Sequence, residues 1–287
     1  MISKNRNRLR HLAKATRYGI SGVFEDFKLL SRRANGGCAL RYSRMDGMDL
    51  LVRADEDLGR DVYFFREYEP WDSSFIMRNL LPTDICLDVG ANVGFYAISL
   101  AIKAREGEVH AFEPTTFNYH VLALNALSNR LSNLVINNCA VGARNEEVEF
   151  FVAQDGGFSS TVDTGRRRIV EKTRVRMVTL DSYCSEVGLS RVDFLKVDVE
   201  GAEPKVITGA RQLLLNGERK PRLIMLELHE GMLREFDSSV REMNAVMEAY
   251  GYHPFVCIEG GLVPLADVQH FQAQNVFFRS DPSEPLR

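Results

Sequence analysis

From residue 80 onward the chain repeats one pattern, a short apolar run followed by a stretch with helical periodicity, and few folds accommodate it. Strands buried on both faces read as unbroken apolar runs, and their alternation with helices implies crossovers between parallel neighbours. Seven runs qualify: Ile85 to Val89, Val109 to Glu113, Leu134 to Asn137, Val192 to Asp198, Leu223 to Leu228, Phe255 to Ile258 and Asn275 to Arg279. Between them, Phe117, Val121, Leu124 and Leu127 form one helical stripe, Val206, Ala210, Leu213 and Leu214 a second, and Val240, Met243 and Met247 a third. Gly251 then stands where a helix C-terminus favours positive φ. The expectation is an α/β chain with a seven-stranded, mostly parallel sheet and helices on both faces. Residues 141–180 break the rhythm with alternating Val148, Phe150 and Val152, then Val175 and Met177, and read as a β-rich insertion with Gly156, Gly157 and Arg166 to Arg168 towards its tip.

Charge separates the beginning of the chain from the rest. The total of 36 basic and 39 acidic residues gives −3, which is no polycation built to neutralise phosphates, and no nucleic-acid partner is expected. Residues 1–33 alone hold nine basic and two acidic side chains, +7, which leaves −10 for the remainder. Ile20, Val23, Phe27 and Leu30 fall at helical spacing there, so this segment reads as an amphipathic helix ending before Asn35-Gly36-Gly37. Its basic face suits water, or as a second reading a peripheral contact with a membrane surface or an anionic partner. The domain division expected is therefore 1–60, a basic helical segment with a short β lead-in, and 61–287, the α/β domain. The longest uncharged stretch near the middle, Val89 to Ile102, has 14 residues interrupted by Gly90, Asn92 and Gly94, too few to span a bilayer. The basic start also lacks the apolar core of a signal peptide. Cys38, Cys86, Cys139, Cys184 and Cys257 are widely spaced without a C-x-x-C pair, as reduced thiols in the cytoplasm would be.

The chemistry concentrates at the strand ends. Asp88-Val89-Gly90-Ala91-Asn92-Val93-Gly94 carries a strand into a helix through D-x-G-x-x-x-G, with Gly90 and Gly94 letting the backbone approach a ligand. A dinucleotide pyrophosphate favours G-x-G-x-x-G and an unobstructed helix N-terminus, whereas a carboxylate here suits a cationic ligand such as S-adenosylmethionine. Glu113-Pro114 ends the next strand 25 residues after Asp88, where an acid can accept two hydrogen bonds from ribose hydroxyls. Asn138 and the backbone of Ala140 follow the third strand, where an adenine edge would be read, although Asn138 equally suits a turn cap.

At Thr179-Leu180-Asp181 and Phe194 to Glu203, with L-K-x-D-x-E-G-A-E intact, the chain resembles the FkbM family of S-adenosylmethionine-dependent methyltransferases. Asp88 to Gly94, Phe112 to Pro114 and Leu226 to His229 extend the likeness, which runs from about Tyr68 to His229. The resemblance implies a Rossmann-like class I methyltransferase fold, with the insertion and N-terminal helical segment as additions. It also implies methyl transfer mostly to hydroxyl groups of sugars, glycolipids or natural products, with a small-molecule or glycan acceptor.

Methyl transfer to a hydroxyl requires an aligned oxygen and a base. The catalytic candidates are Asp198, Glu200 and His229, with His229 preferred as base for its ordinary pKa of about 6.5. Asp198 would also bind the methionine amino group, while Glu200 and Glu203 equally suit helix caps. Lys196, inside a central strand, needs a buried carboxylate, and Glu227 on the neighbouring strand is the expected partner. Asp198, Glu200, Glu227 and His229 admit a divalent cation without requiring one. Tyr68 and Trp71, Ser159 and Ser160 at the insertion tip, and Glu227 are the candidate acceptor contacts. Two alternatives stand beside this reading: an NAD(P)-dependent oxidoreductase, and a non-catalytic Rossmann-like adaptor with a basic membrane- or partner-binding N-terminus.

Overall fold

A computed structural model describes residues 40–154, 157, 159–162, 168–217, 220–265 and 274–281. The helix expected within residues 1–33, and Gly156, Arg166 and Arg167 of the insertion tip, lie outside these residues. The chain divides into two compact units between Glu69 and Pro70.

In the first unit, β1 (Leu40–Met45) and β2 (Met48–Arg53) pair antiparallel around Asp46-Gly47. Both turn residues have positive φ, 49° and 81°, the geometry whose twist matches a two-residue hairpin. Helix α1 (Asp57–Arg60) continues into a π-helical turn, Asp61–Phe65. Ser43 Oγ donates to the Val62 carbonyl at 3.1 Å, and a Cβ on Gly59 would stand 2.0 Å from the Arg53 carbonyl oxygen. These contacts bind the turn to the hairpin, so the division falls after it and the boundary expected at residue 60 lies inside this unit.

The second unit holds α2 (Pro70–Asn79), β3 (Ile85–Val89), α3 (Phe95–Lys103), β4 (Glu108–Phe112), α4 (Thr116–Ser128) and β5 (Leu134–Asn137). The insertion supplies β6 (Ala140–Val141), β7 (Glu146–Ala153) and β8 (Ile169–Val178), followed by α5 (Leu180–Glu186). Then come β9 (Phe194–Val197), α6 (Glu203–Thr208), α7 (Arg211–Leu215), β10 (Leu223–Leu228), α8 (Glu230–Leu233), α9 (Val240–Ala249), β11 (His253–Ile258), β12 (Gly261–Pro264) and β13 (Gln274–Arg279). The main sheet runs β12-β11-β13-β10-β9-β3-β4-β5, parallel from β10 to β5, with β13 antiparallel to both neighbours. All seven expected strands are in it. The eighth, β12, is a hairpin partner of β11.

Alternation along the strands sorts their side chains by face. Leu87, Val89, Leu195, Val197, Ile224, Leu226, Leu228, Val276 and Phe278 enter one core with Val206, Leu213, Leu214, Val240, Met243 and Met247 from the helices. Each such burial contributes about 1.5–3 kcal/mol. Two of the expected helical stripes thus face the core. The stripe on α4 does not: of its four residues Val121 is buried, while Phe117, Leu124 and Leu127 are exposed. The helix instead turns Asn118, Leu122, Asn125 and Ala126 inward, and Asn125 Nδ2 donates to the Val93 carbonyl at 2.7 Å. Without that acceptor the buried amide would cost about 1–3 kcal/mol.

The insertion forms its own sheet, ordered β6-β8-β7. Glu147 faces Arg176 and Glu149 faces Arg174 across β7 and β8, while Phe150, Val175 and Met177 cover Ala140. Among the described residues no helix is long and apolar enough to cross a membrane.

Candidate active site

The turn after β3 is held by its own left-handed residues. Gly90, Asn92 and Gly94 have φ of 82°, 49° and 97°, so Gly90 and Ala91 both donate to the Phe112 carbonyl at 3.0 Å. A Cβ on Gly90 would meet the Asp198 carbonyl oxygen at 1.8 Å, and one on Gly94 would meet Leu122 at 2.2 Å. The two glycines are thus required by close packing on the end of β9 and on α4, the strand–helix packing that is the alternative sequence reading of this turn beside ligand approach. Asn tolerates the left-handed region better than most side chains. Its Oδ1 at position 92 is shielded and has no hydrogen-bond partner among the described residues.

Glu113 ties this turn to the next one. Oε2 accepts from the Asn92 N–H at 2.9 Å, and Oε1 accepts from the Thr115 N–H at 2.9 Å and the Thr115 hydroxyl at 2.5 Å. Burial pushes its carboxyl up to about 7 against these bonds. Each carboxylate oxygen has two lone pairs. Oε1 is therefore filled, and one position remains on Oε2, enough for one ribose hydroxyl where the sequence suggested two. Asn138 Nδ2 donates to the carbonyls of Glu113 and Pro114 at 2.9 and 3.1 Å, the turn-bracing alternative, and Ala140 enters the ladder opposite Met177.

The second focus lies where β9 and β10 end. Register places Lys196 beside Asp88 and Met225, and the next outward position on the same face holds Asp198 and Glu227. Lys196 Nζ lies 2.9 Å from Asp198 Oδ2 and 3.8 Å from Asp88 Oδ1, and 5.1 Å from the centre of the Tyr96 ring. Lys196 thus forms ion pairs with Asp198 and Asp88, and Glu227, the partner expected from sequence, stands two residues beyond Met225, the register neighbour of this lysine. Burial pushes the Asp88 carboxyl up to about 6 despite Lys196. At Asp198 burial also opposes charge, but Lys196 and a hydrogen bond with Glu227 outweigh it and hold the carboxyl below its usual range.

Asp198, Glu200 and Glu227 each bring one oxygen within 4.8 Å of the others, a triangle that could receive a cationic ligand group or a divalent ion. Glu200 reaches it from a left-handed backbone, φ 57°, followed by Gly201 at 101°. Glu203 braces this turn: its buried Oε1 accepts from the Val199 and Gly201 N–H groups at 3.1 and 3.2 Å, and burial pushes its carboxyl up to about 7. His229 has another task. Its Nδ1 accepts from the Gly231 N–H at 3.1 Å and caps α8, which assigns the ring proton to Nε2. A base at Nε2 would need the other tautomer, and forming it would break the cap.

The outlying candidates separate. Tyr68 belongs to the first unit. Trp71 is half exposed on α2, where its carbonyl accepts from Cys257 Sγ at 3.4 Å. Ser159 and Ser160 are stitched to β7: the Ser159 hydroxyl accepts from the Ala153 N–H at 3.0 Å, and buried Ser160 bridges Phe151. Asn275 borders the acidic edge. It stands opposite Glu227 in register, and its Nδ2 donates to Asp72 Oδ2 at 3.1 Å. The only sequence trace of it is one polar residue opening an apolar strand.

A parallel sheet whose ends carry a glycine turn, a buried acid on the second strand and an acidic edge for a cation defines a class I S-adenosylmethionine-dependent methyltransferase. Residues 88–254 match the methyltransferase FkbM domain, and the chain belongs to that family. Relatives include the 31-O-demethyl-FK506 methyltransferase FkbM of Streptomyces tacrolimicus, 24% identical over 60% of this chain and 74% of its own length. The 2-O-methyltransferase NoeI of Sinorhizobium fredii is 27% identical over 53% of this chain and 68% of its own. Among solved structures, the O-methyltransferase from Bacillus cereus in complex with SAH aligns with a TM-score of 0.41 and 11% identity, over 74% of this chain and 81% of that one.

Proposed function

We propose that the protein methylates a hydroxyl group of a small-molecule or glycan acceptor, with Glu200 as general base. The carrying observation is the carboxylate triangle at the ends of β9 and β10. S-Adenosylmethionine, when bound, supplies an electrophilic methyl group on a sulfonium. The acidic edge suits that cation, and the open position on Glu113 Oε2 can take one ribose hydroxyl.

A bound alcohol must lose its proton as it is methylated. Asp198, kept ionised by Lys196, is a weak base and orients the hydroxyl; Glu227 shares a proton with Asp198 through their hydrogen bond. Glu200 is left to accept the proton, from a turn in a sparsely populated conformation that Glu203 holds in place. The names of the two relatives, both denoting O-methylation, support an oxygen acceptor. A divalent ion at the triangle is the second reading, carried by the same spacing.

Calorimetry with S-adenosylhomocysteine and with NADH separates the alternatives: the first is expected to bind and the second not. Glu200→Gln should lower turnover by at least about 10²-fold with S-adenosylhomocysteine affinity retained. His229→Ala should keep turnover within a few fold and cost about 1 kcal/mol of stability as a lost cap. The reverse outcome returns the base to His229, and loss of wild-type turnover on chelation establishes the ion.

A further inference from the structure

The surface of α4 is unlike that of a helix that ends in water. Its 13 residues include no Asp, Glu, Lys or Arg, whereas a solvent-facing helix ordinarily sets charged side chains outward. It exposes Phe117 at 42%, Leu124 at 51% and Leu127 at 74%, with His120 exposed between them. Positions 117, 120, 124 and 127 advance by three, four and three, the spacing of a seam between two packed helices. Past the helix end, after left-handed Arg130 (φ 55°), stands half-buried Leu131. Beside the helix, β5 is the open edge of the main sheet and exposes Val135 at 44%.

We infer that this stripe is a self-association surface, covered by the α4 helix of a second copy of the chain lying antiparallel to it. The positions flanking the seam are Thr116, Ala123 and Ser128, and flanking charges are what normally select or reject a partner helix. Here nothing repels an identical helix. A twofold contact is self-complementary by construction: Leu124 meets its own copy at the centre, and His120 faces Leu127. A lipid surface fits less well, because helices that lie in membranes carry basic residues on their polar flanks. The inward face is anchored through Asn125, so the seam is presented on a fixed helix. At about 1.5 Å per residue the helix is about 20 Å long. A pair of that length buries less than the roughly 1,200–2,000 Å² of a stable interface, so the dimer is concentration-dependent.

Sedimentation velocity of the full chain tests this without reference to catalysis. The wild type should pass from monomer to dimer between about 1 and 100 μM. Leu124→Glu should stay monomeric while its thermal midpoint and S-adenosylhomocysteine affinity match the wild type. Leu127→Gln, at the most exposed position, serves if Leu124→Glu does not fold. An equimolar mixture of Leu124→Glu and Leu124→Lys chains should recover the dimer that neither forms alone, since the twofold axis brings opposite charges together. A wild type that is monomeric throughout overturns the inference, as does a Leu124→Glu dimer, or binding to anionic vesicles that Leu124→Glu abolishes.

Discussion

Lys196 shows how one side chain sets the chemistry of several others. It lies between two acids in a buried face, and with four carboxyls nearby, Asp88, Asp198, Glu200 and Glu227, it is what allows Asp198 to stay ionised. Lys196→Met should therefore cost about 3–5 kcal/mol near pH 7, the scale for stranding a buried charge. Asp88→Asn in the same chain should recover part of it, and urea unfolding at pH 7 and pH 5 reads both effects, with the smaller loss at pH 5 where the acids take up protons. Glu203 contributes a separate pH dependence. Its carboxyl is raised from 4.5 to about 7 by burial, so its stabilising contribution is full below about 4.5 and lost as pH rises through about 7. Glu203→Gln keeps the Oε1 acceptor and removes the titration. Its thermal midpoint should fall less than that of the wild type between pH 5 and pH 8, and equal slopes would contradict the assignment.

At the scale of elements, apolar continuity made the seven strands legible, because a strand buried on both faces has little choice of composition. Strand β12 lacked that mark. Its hairpin turns through Glu259-Gly260, with φ of 51° and 79°, and glutamate is not the residue that advertises such a turn. Glu259→Asn should accordingly stabilise the chain by about 1 kcal/mol by relieving a left-handed residue, and an unchanged or lowered thermal midpoint would count against the turn. The α4 stripe was legible as a stripe but not in its direction, since periodicity finds an apolar face without saying which face the buried asparagines will claim. The site divides in the same way. Asp88, Glu113, Asp198 and Glu200 sit at strand ends, where pattern and chemistry coincide. The cap made by His229 and the filled lone pairs of Glu113 arise from partners two residues away whose geometry composition does not reveal, and the Asn275–Asp72 contact joins residues far apart in sequence, which no local pattern encodes.

At the scale of the whole molecule, charge divides into a basic beginning and an acidic remainder. Residues 34–287 carry 27 basic and 37 acidic side chains, −10 in sum, and the triangle at the sheet edge concentrates that sign where the proposed function seats the sulfonium. S-Adenosylmethionine carries one more positive charge than its demethylated product, so the two ligands probe the same site with and without that interaction. Long-range attraction raises association rates and is screened as the Debye length shrinks from about 10 Å at 0.1 M salt to about 3 Å at 1 M. Stopped-flow association of S-adenosylmethionine should slow by about threefold or more over that range, and that of S-adenosylhomocysteine by clearly less. Replacing Glu227 by Gln, which removes an acid from the edge without touching the glycine turn, should reduce the salt dependence for S-adenosylmethionine and leave the product's rate unchanged. Equal salt slopes for the two ligands would place the steering charge away from the sulfonium, and the acidic edge would then serve the acceptor alone.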